Sequence, residues 1–151
     1  MFSFFKKKDI FTPAENDRIV AAIRNCEKST SGEIRVFIDN KNPLVSTLER
    51  AAVIFNELKM YETEERNAVI LYIAVKHKEV ALFGDEGIHN AVGTAYWQQQ
   101  VQLMLSYFRD GDLVSGIEKC VLEVGRVLSD KFPYRGDIDK NELPDEIVFG
   151  K

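Results

Sequence analysis

Apolar positions recur along this chain with two different periods, and the switches between them mark out its elements. Thr12-Pro13-Ala14-Glu15 combines a capping hydroxyl, a proline suited to a first helical turn and a carboxylate placed for a capping box. Ile19, Ala22, Ile23 and Cys26 then recur at helical spacing, which predicts a helix over 13–28. Ser29-Thr30-Ser31-Gly32 breaks it. From Glu33 to Asp39 the period drops to two, with Ile34, Val36 and Ile38 on one face and Arg35 and Phe37 on the other, the pattern of a strand. Leu48, Ala51, Ala52, Phe55 and Leu58 mark a second helix ending near Tyr61, and a charged link, Glu62 to Arg66, leads to Asn67. Ala68 to Val75 is unbroken apolar sequence, as in a central strand covered on both faces. Lys76-His77-Lys78 makes a polar turn. Val80 to Phe83 then forms a third strand, which so short a loop forces to be antiparallel.

From Asp85 to Phe132 the pattern is helical with two breaks. Gly93-Thr94 separates a short helix over 86–92 from another over 95–107, and Arg109-Asp110-Gly111-Asp112 is a turn. Val114, Ile117, Val121, Val124 and Leu128 line the last helix. The order α-β-α-β-β-α-α predicts an α/β fold: a three-layer α/β/α sandwich around a small mixed sheet. A helical crossover makes the first two strands parallel. With 151 residues there is room for one domain, over 12–132, preceded by an aromatic and basic start expected to be flexible (1–11) and followed by an acidic tail expected to be mobile (133–151).

Composition narrows the function classes. Apolar residues make up 45% and charged residues 29%, a globular balance. Twenty basic and 24 acidic side chains give a net charge of −4, and no basic stripe extends beyond Lys6-Lys7-Lys8, so nucleic acid is not an expected partner. At the start Phe2, Phe4 and Phe5 precede the three lysines, the reverse of a secretory signal. That segment, Phe2 to Lys8, reads as local packing or as a weak contact with an anionic membrane surface. The longest uncharged run, Ile88 to Phe108, holds His89, Asn90 and Gln98-Gln99-Gln100 and is not a membrane span. Cys26 and Cys120 fall on apolar helical stripes and read as two buried free thiols. With only His77 and His89 beside them, the usual Cys/His zinc spacings are excluded. A cytoplasmic monomer with a protein partner of unknown identity is expected.

The topology also makes a geometric prediction. The starts of the two parallel strands share a sheet edge with the end of the third, which gathers Glu33, Asn67, Asp85 and Glu86 there. If the chain doubles back at Gly93, the 109–112 turn returns to the same edge and adds Asp110 and Asp112. Several carboxylates around glycine turns suit a hard cation, calcium or alternatively magnesium. The bland alternative makes Asp85, Glu86 and Asp112 helix caps and Glu33 a solvated strand start. Asp-Gly-Asp here lacks the spacing of an EF-hand. There is no G-x-S-x-G elbow around Ser31 and no P-loop at Gly84-Asp85-Glu86-Gly87. His89, one turn into a helix near the acids, is a candidate base; His77 sits in a hairpin turn.

Taken in order, Thr12-Pro13-Ala14-Glu15, Thr30-Ser31-Gly32-Glu33-Ile34-Arg35-Val36, Asn67-Ala68-Val69-Ile70-Leu71-Tyr72-Ile73-Ala74, Phe83-Gly84-Asp85-Glu86-Gly87-Ile88 and Phe108-Arg109-Asp110-Gly111-Asp112-Leu113-Val114 resemble the successive signatures of the TPM-domain family. That family includes thylakoid-lumen proteins tied to photosystem II repair and modulators of acetylcholine receptors. The resemblance spans 12–132. It implies an α/β/α sandwich, divalent-cation binding (notably calcium) by acidic loops, and an acid-phosphatase activity. The chain departs from the pattern at Asn67-Ala68 and at Gly84-Asp85-Glu86, where many relatives carry a further glycine. It is expected to be a stand-alone form without the anchors common in relatives. The resulting expectation is a calcium-binding interaction module with Asp85, Glu86, Asp110, Asp112 and Glu33 as ligands. A metal-dependent phosphatase and a metal-free scaffold are the alternatives.

Overall fold

A computed structural model describes residues 10–44, 46–136 and 146–150. The predicted helices and strands form in sequence, but three helices follow the third strand where the order α-β-α-β-β-α-α counts two: α1 (Pro13–Glu27), β1 (Glu33–Asp39), α2 (Thr47–Glu57), β2 (Ala68–Ala74), β3 (Glu79–Gly84), α3 (Glu86–Val92), α4 (Thr94–Arg109) and α5 (Leu113–Lys131). The capping box is present in full: Glu15 N–H donates to Thr12 Oγ1 at 3.1 Å and Thr12 N–H to Glu15 Oε1 at 2.9 Å. The second helix stops earlier than the periodicity suggests. Lys59 takes a positive φ of 55°, which ends the helical path before Tyr61.

The sheet order is β3-β2-β1-β4, with β1 and β2 parallel and β3 antiparallel to β2. All seven residues of β2 are buried, as its unbroken apolar run requires. Alternation then assigns the two cores. Ile34, Val36, Ile38, Val69, Leu71, Ile73, Val80 and Leu82 pack against residues of α1, α3, α4 and α5. Phe37, Ala68, Ile70, Tyr72, Ala74 and Ala81 form the other face with Ala51, Ile54 and Phe55 of α2. Helices on both faces of a mixed sheet make this an α/β fold.

The acidic tail needs correction. Val148–Phe149 is a short strand, β4, parallel to β1. Ile147 is buried in the larger core, and Phe149 meets Phe11 edge-on with ring centroids 6.3 Å apart. Three apolar residues are too few to show a period, and the partner that organises them lies far earlier in the chain. The rest of the tail expectation, over 137–145 and at 151, and the Phe2–Lys8 reading fall outside the described residues. Among the described residues no helix is long and apolar enough to cross a membrane.

Both cysteines are free and buried, as expected. Gly125 of α5 sits directly against Cys26 of α1, and Cys26 Sγ donates to Val121 O at 3.3 Å. Burial pushes the Cys26 thiol up to about 11 and the Cys120 thiol up to about 12. The unfolded thiols ionise first, near pH 8.5. The stabilisation from holding these protons is therefore complete below about pH 8 and is lost as pH rises through the native values. Urea unfolding at pH 8, 9.5 and 10.5 is expected to show steadily falling stability, and Cys120→Ala is expected to flatten that slope.

Candidate functional site

The sheet edge where β1 and β2 start and β3 ends carries a continuous polar network. It begins in the loop after α1, where Gly32 lies so close to α5 that a Cβ would come within 2.7 Å of Leu128 Cδ2. That approach seats Ser31 beside the 63–67 loop. Ser31 Oγ donates to Glu65 Oε2, and buried Asn67 donates from Nδ2 to Ser31 Oγ at 3.2 Å. Thr63 Oγ1 accepts from Asn67 N–H at 3.3 Å. Arg66 adopts a positive φ of 52°, which turns the loop sharply before β2. Arg135 adds a second cation, 3.6 Å from Glu64 and 4.0 Å from Glu65.

Asp85 sits where β3 hands over to α3. Its N–H donates to Ala68 O at 2.9 Å, and its Oδ1 caps α3 by accepting from Glu86 N–H at 2.8 Å. Buried to 5% exposure, the carboxylate is gripped by the Arg66 fork: Nε to Oδ2 at 2.6 Å and Nη2 to Oδ1 at 2.8 Å. Exposed Glu86 approaches the same guanidinium, with Oε1 3.4 Å from Nη1. The hydrogen bond that Arg66 donates to Asp85 holds its guanidinium above the usual range. Gly87 keeps the arrangement compact, its N–H donating to Arg66 O at 2.8 Å.

Glu33, Asn67, Asp85 and Glu86 thus reach one end of the sheet, as the strand directions predict. Glu33 is buried, with its backbone N–H donating to Asn67 O at 3.4 Å, so it is not a solvated strand start. Its charge faces Arg35, whose burial pulls that guanidinium below its usual value.

Asp110 and Asp112 do not join them. Phe132 O, just past α5, accepts from Ser31 N–H at 3.0 Å, so the C-terminal end of α5 lies at this sheet edge. Its 19 residues, at about 1.5 Å each, carry its first turn about 28 Å away. Asp112 caps that distant turn, accepting from Ser115 N–H at 3.3 Å, and Asp110 ends α4. The expected doubling back fails because α3 has only seven residues and leaves the chain at the edge where it started. The 16-residue α4 then carries it the length of the domain. Among the described residues no three His, Cys, Asp or Glu side chains converge as a metal cluster. Of the five candidate ligands, Asp85 and Glu86 alone share a cation partner here.

Beside this network lies a cavity of about 640 Å³, bordered by β3, by Thr47 and Leu48 of α2, by Glu86 and His89 of α3, and by Trp97 and Val101 of α4. Gly84 makes room for it to close: a Cβ there would overlap the Trp97 ring. Trp97 Nε1 donates to His89 Nδ1 at 3.0 Å, which leaves Nε2 as the protonated ring nitrogen in the neutral imidazole. Neither Arg66 nor this cavity was legible beforehand. Arg66 reads as one charge among several in a polar link, and glycine at 84 was the one local sign of a close approach.

The chain matches the TPM domain family over residues 5–127. Its fold is similar to the NMR structure of the BA42 protein from the psychrophilic bacterium Bizionia argentinensis, at 35% identity and a TM-score of 0.86, covering 96% of this chain and 99% of that one. Two further solution structures share the fold. The N-terminal domain of cg2496 from Corynebacterium glutamicum has 13% identity, covers 84% of each chain and gives a TM-score of 0.64. The N-terminal domain of a P. gingivalis protein has 15% identity, covers 83% of this chain and 81% of that one, and gives a TM-score of 0.66. No curated protein matches the chain.

Proposed function

This chain belongs to the TPM-domain family, and from that premise we propose that it is a binding module whose acidic sheet end takes up a divalent cation, calcium by ligand chemistry, and which acts through a protein partner rather than by catalysis. The supporting observation is the convergence of the Asp85 and Glu86 carboxylates on one half-buried guanidinium, that of Arg66. Two carboxylates already held around a monovalent cation are the anionic half of a hard-cation site. A divalent ion competes with Arg66 for them. With two protein carboxylates the ion keeps much of its water, so binding in the range of about 0.1–1 mM is expected. Asp110, Asp112 and Glu33 have no part in this site.

The groups nearest the acids that hydrolysis would need are committed elsewhere. The Ser31 hydroxyl donates to Glu65, and His89 Nδ1 accepts from Trp97. The binding reading is therefore preferred to the phosphatase reading.

A calcium titration followed by backbone amide NMR tests the site. Saturable shifts are expected at 65–67 and 84–87, with none at 109–112. Glu86→Gln, an exposed change that leaves the fold intact, is expected to weaken binding, and Arg66→Ala to tighten it by removing the competitor. Flat spectra to millimolar calcium, in wild type and Arg66→Ala alike, overturn the cation reading.

A further inference from the structure

β3 forms one edge of the sheet, so only one of its sides is paired. Hydrogen-bond parity decides which residues face outward. In an antiparallel pair, residues that exchange both backbone bonds with the partner alternate with residues that exchange none. Asp85 N–H donates to Ala68 O, which places Asp85 and, by twos, Phe83, Ala81 and Glu79 on the β2 side. The other side of β2 agrees independently. Glu33 N–H donates to Asn67 O, and Val75 N–H to Asp39 O, so odd-numbered residues of β2 serve β1 and even-numbered ones serve β3. Val80, Leu82 and Gly84 therefore turn their N–H and C=O groups away from the sheet. Among the described residues no backbone bond outside the sheet engages any of the three.

That outward edge opens on the 640 Å³ cavity. Every residue from Val80 to Gly84 lines it, although successive side chains point to opposite faces, so the cavity runs along the strand's backbone edge. One wall is apolar Trp97 and Val101 of α4; the other carries Leu48 of α2, an apolar side chain left 54% exposed. At the Gly84 end, Asp85 and Glu86 stand against the single charge of Arg66, an excess of one negative charge.

We propose that this groove accepts an extended peptide segment of a partner protein as an added strand beside β3. Its backbone pairs with Val80, Leu82 and Gly84. Its alternate apolar side chains meet Trp97 and Val101 on one side and Leu48 on the other, and a lysine or arginine lies opposite Glu86. Main-chain pairing supplies affinity in this mode, and the alternate pockets supply specificity. A purely apolar small molecule would fill the walls and leave the backbone groups of the edge without partners, which is costly once water is expelled.

The test pans a random heptapeptide display library on the full chain in EDTA, so that its outcome is independent of the cation reading. Selected peptides are titrated against the chain's single tryptophan, Trp97, as a fluorescence reporter. Alternating apolar positions and a basic residue are expected. N-methylation of the amides facing β3 is expected to weaken binding by about tenfold or more, whereas methylation of the intervening amides changes it little. Leu48→Lys, at an exposed position, is expected to weaken binding without loss of fold. Equal binding of both methylated forms, indifference to Leu48→Lys, or no enriched peptide overturns the proposal. Binding of decanoate in the groove with no enriched peptide would reassign it to small amphiphiles.

Discussion

Gly87→Ala is expected to destabilise the protein by about 3 kcal/mol or more, toward the upper end of overpacking costs. A Cβ at position 87 would overlap the carbonyl oxygen of Glu65 and come within 2.6 Å of that of Arg66. Both obstacles are backbone, so no side chain can rotate aside. Relief requires the 65–66 loop to withdraw from α3, and that movement breaks the bond from Gly87 N–H to Arg66 O and pulls the Arg66 fork off Asp85. The contrast is Gly93, which has a positive φ of 82° and nothing within 4 Å of a Cβ. Alanine there meets only backbone strain, of about 1–3 kcal/mol, because φ 82° with ψ 168° is a region essentially reserved for glycine. Urea denaturation of each variant against the wild type measures the two effects. A Gly87→Ala protein within about 1 kcal/mol of the wild type would show that the loop is not pinned against α3.

Asp39→Ala is expected to cost about 3–5 kcal/mol, the range for breaking a buried charged pair from one side. Asp39 ends β1 at 3% exposure, opposite the candidate site. Its Oδ2 accepts from the fully buried Tyr72 hydroxyl at 2.6 Å and from Arg50 Nε at 3.0 Å. Burial, with the Asp39 hydrogen bond behind it, pushes the Tyr72 phenol well above its ordinary range, so the hydroxyl stays a donor at all ordinary pH. Removing the carboxylate strands both donors. Asp39→Asn retains an acceptor oxygen and is expected to lose less. Denaturant midpoints that fall equally for the two variants would show that the charge, and not the acceptor, is what matters.

The two network ends were unequally legible. Strand directions follow from connection lengths, and those directions alone place Glu33, Asn67, Asp85 and Glu86 at one edge. Arg66 escaped notice because its partner lies 19 residues on, across a strand pair, and no local pattern marks such a pairing. Asp39 is marked in the sequence only as the last residue of an alternating stretch, although β1 is buried at all seven positions. Asp110 and Asp112 were assigned to the wrong end because periodicity counts helical residues without saying which way a helix departs. Seven residues in α3 are too few to cross the domain, and that fact reverses α4.

By itself, then, the sequence determined the elements, their order, the parallel and antiparallel pairings, the buried central strand and the two reduced thiols. These depend on local periodicity, capping and loop length, which are written in contiguous residues. Tertiary structure alone decided that Val148–Phe149 completes the sheet, that Arg66 closes on Asp85, that the acidic turn lies at the far end, and that β3 keeps an open edge between α2 and α4. Each of these depends on the path of helices in space, and on contacts between residues whose distance along the chain carries no information about their approach.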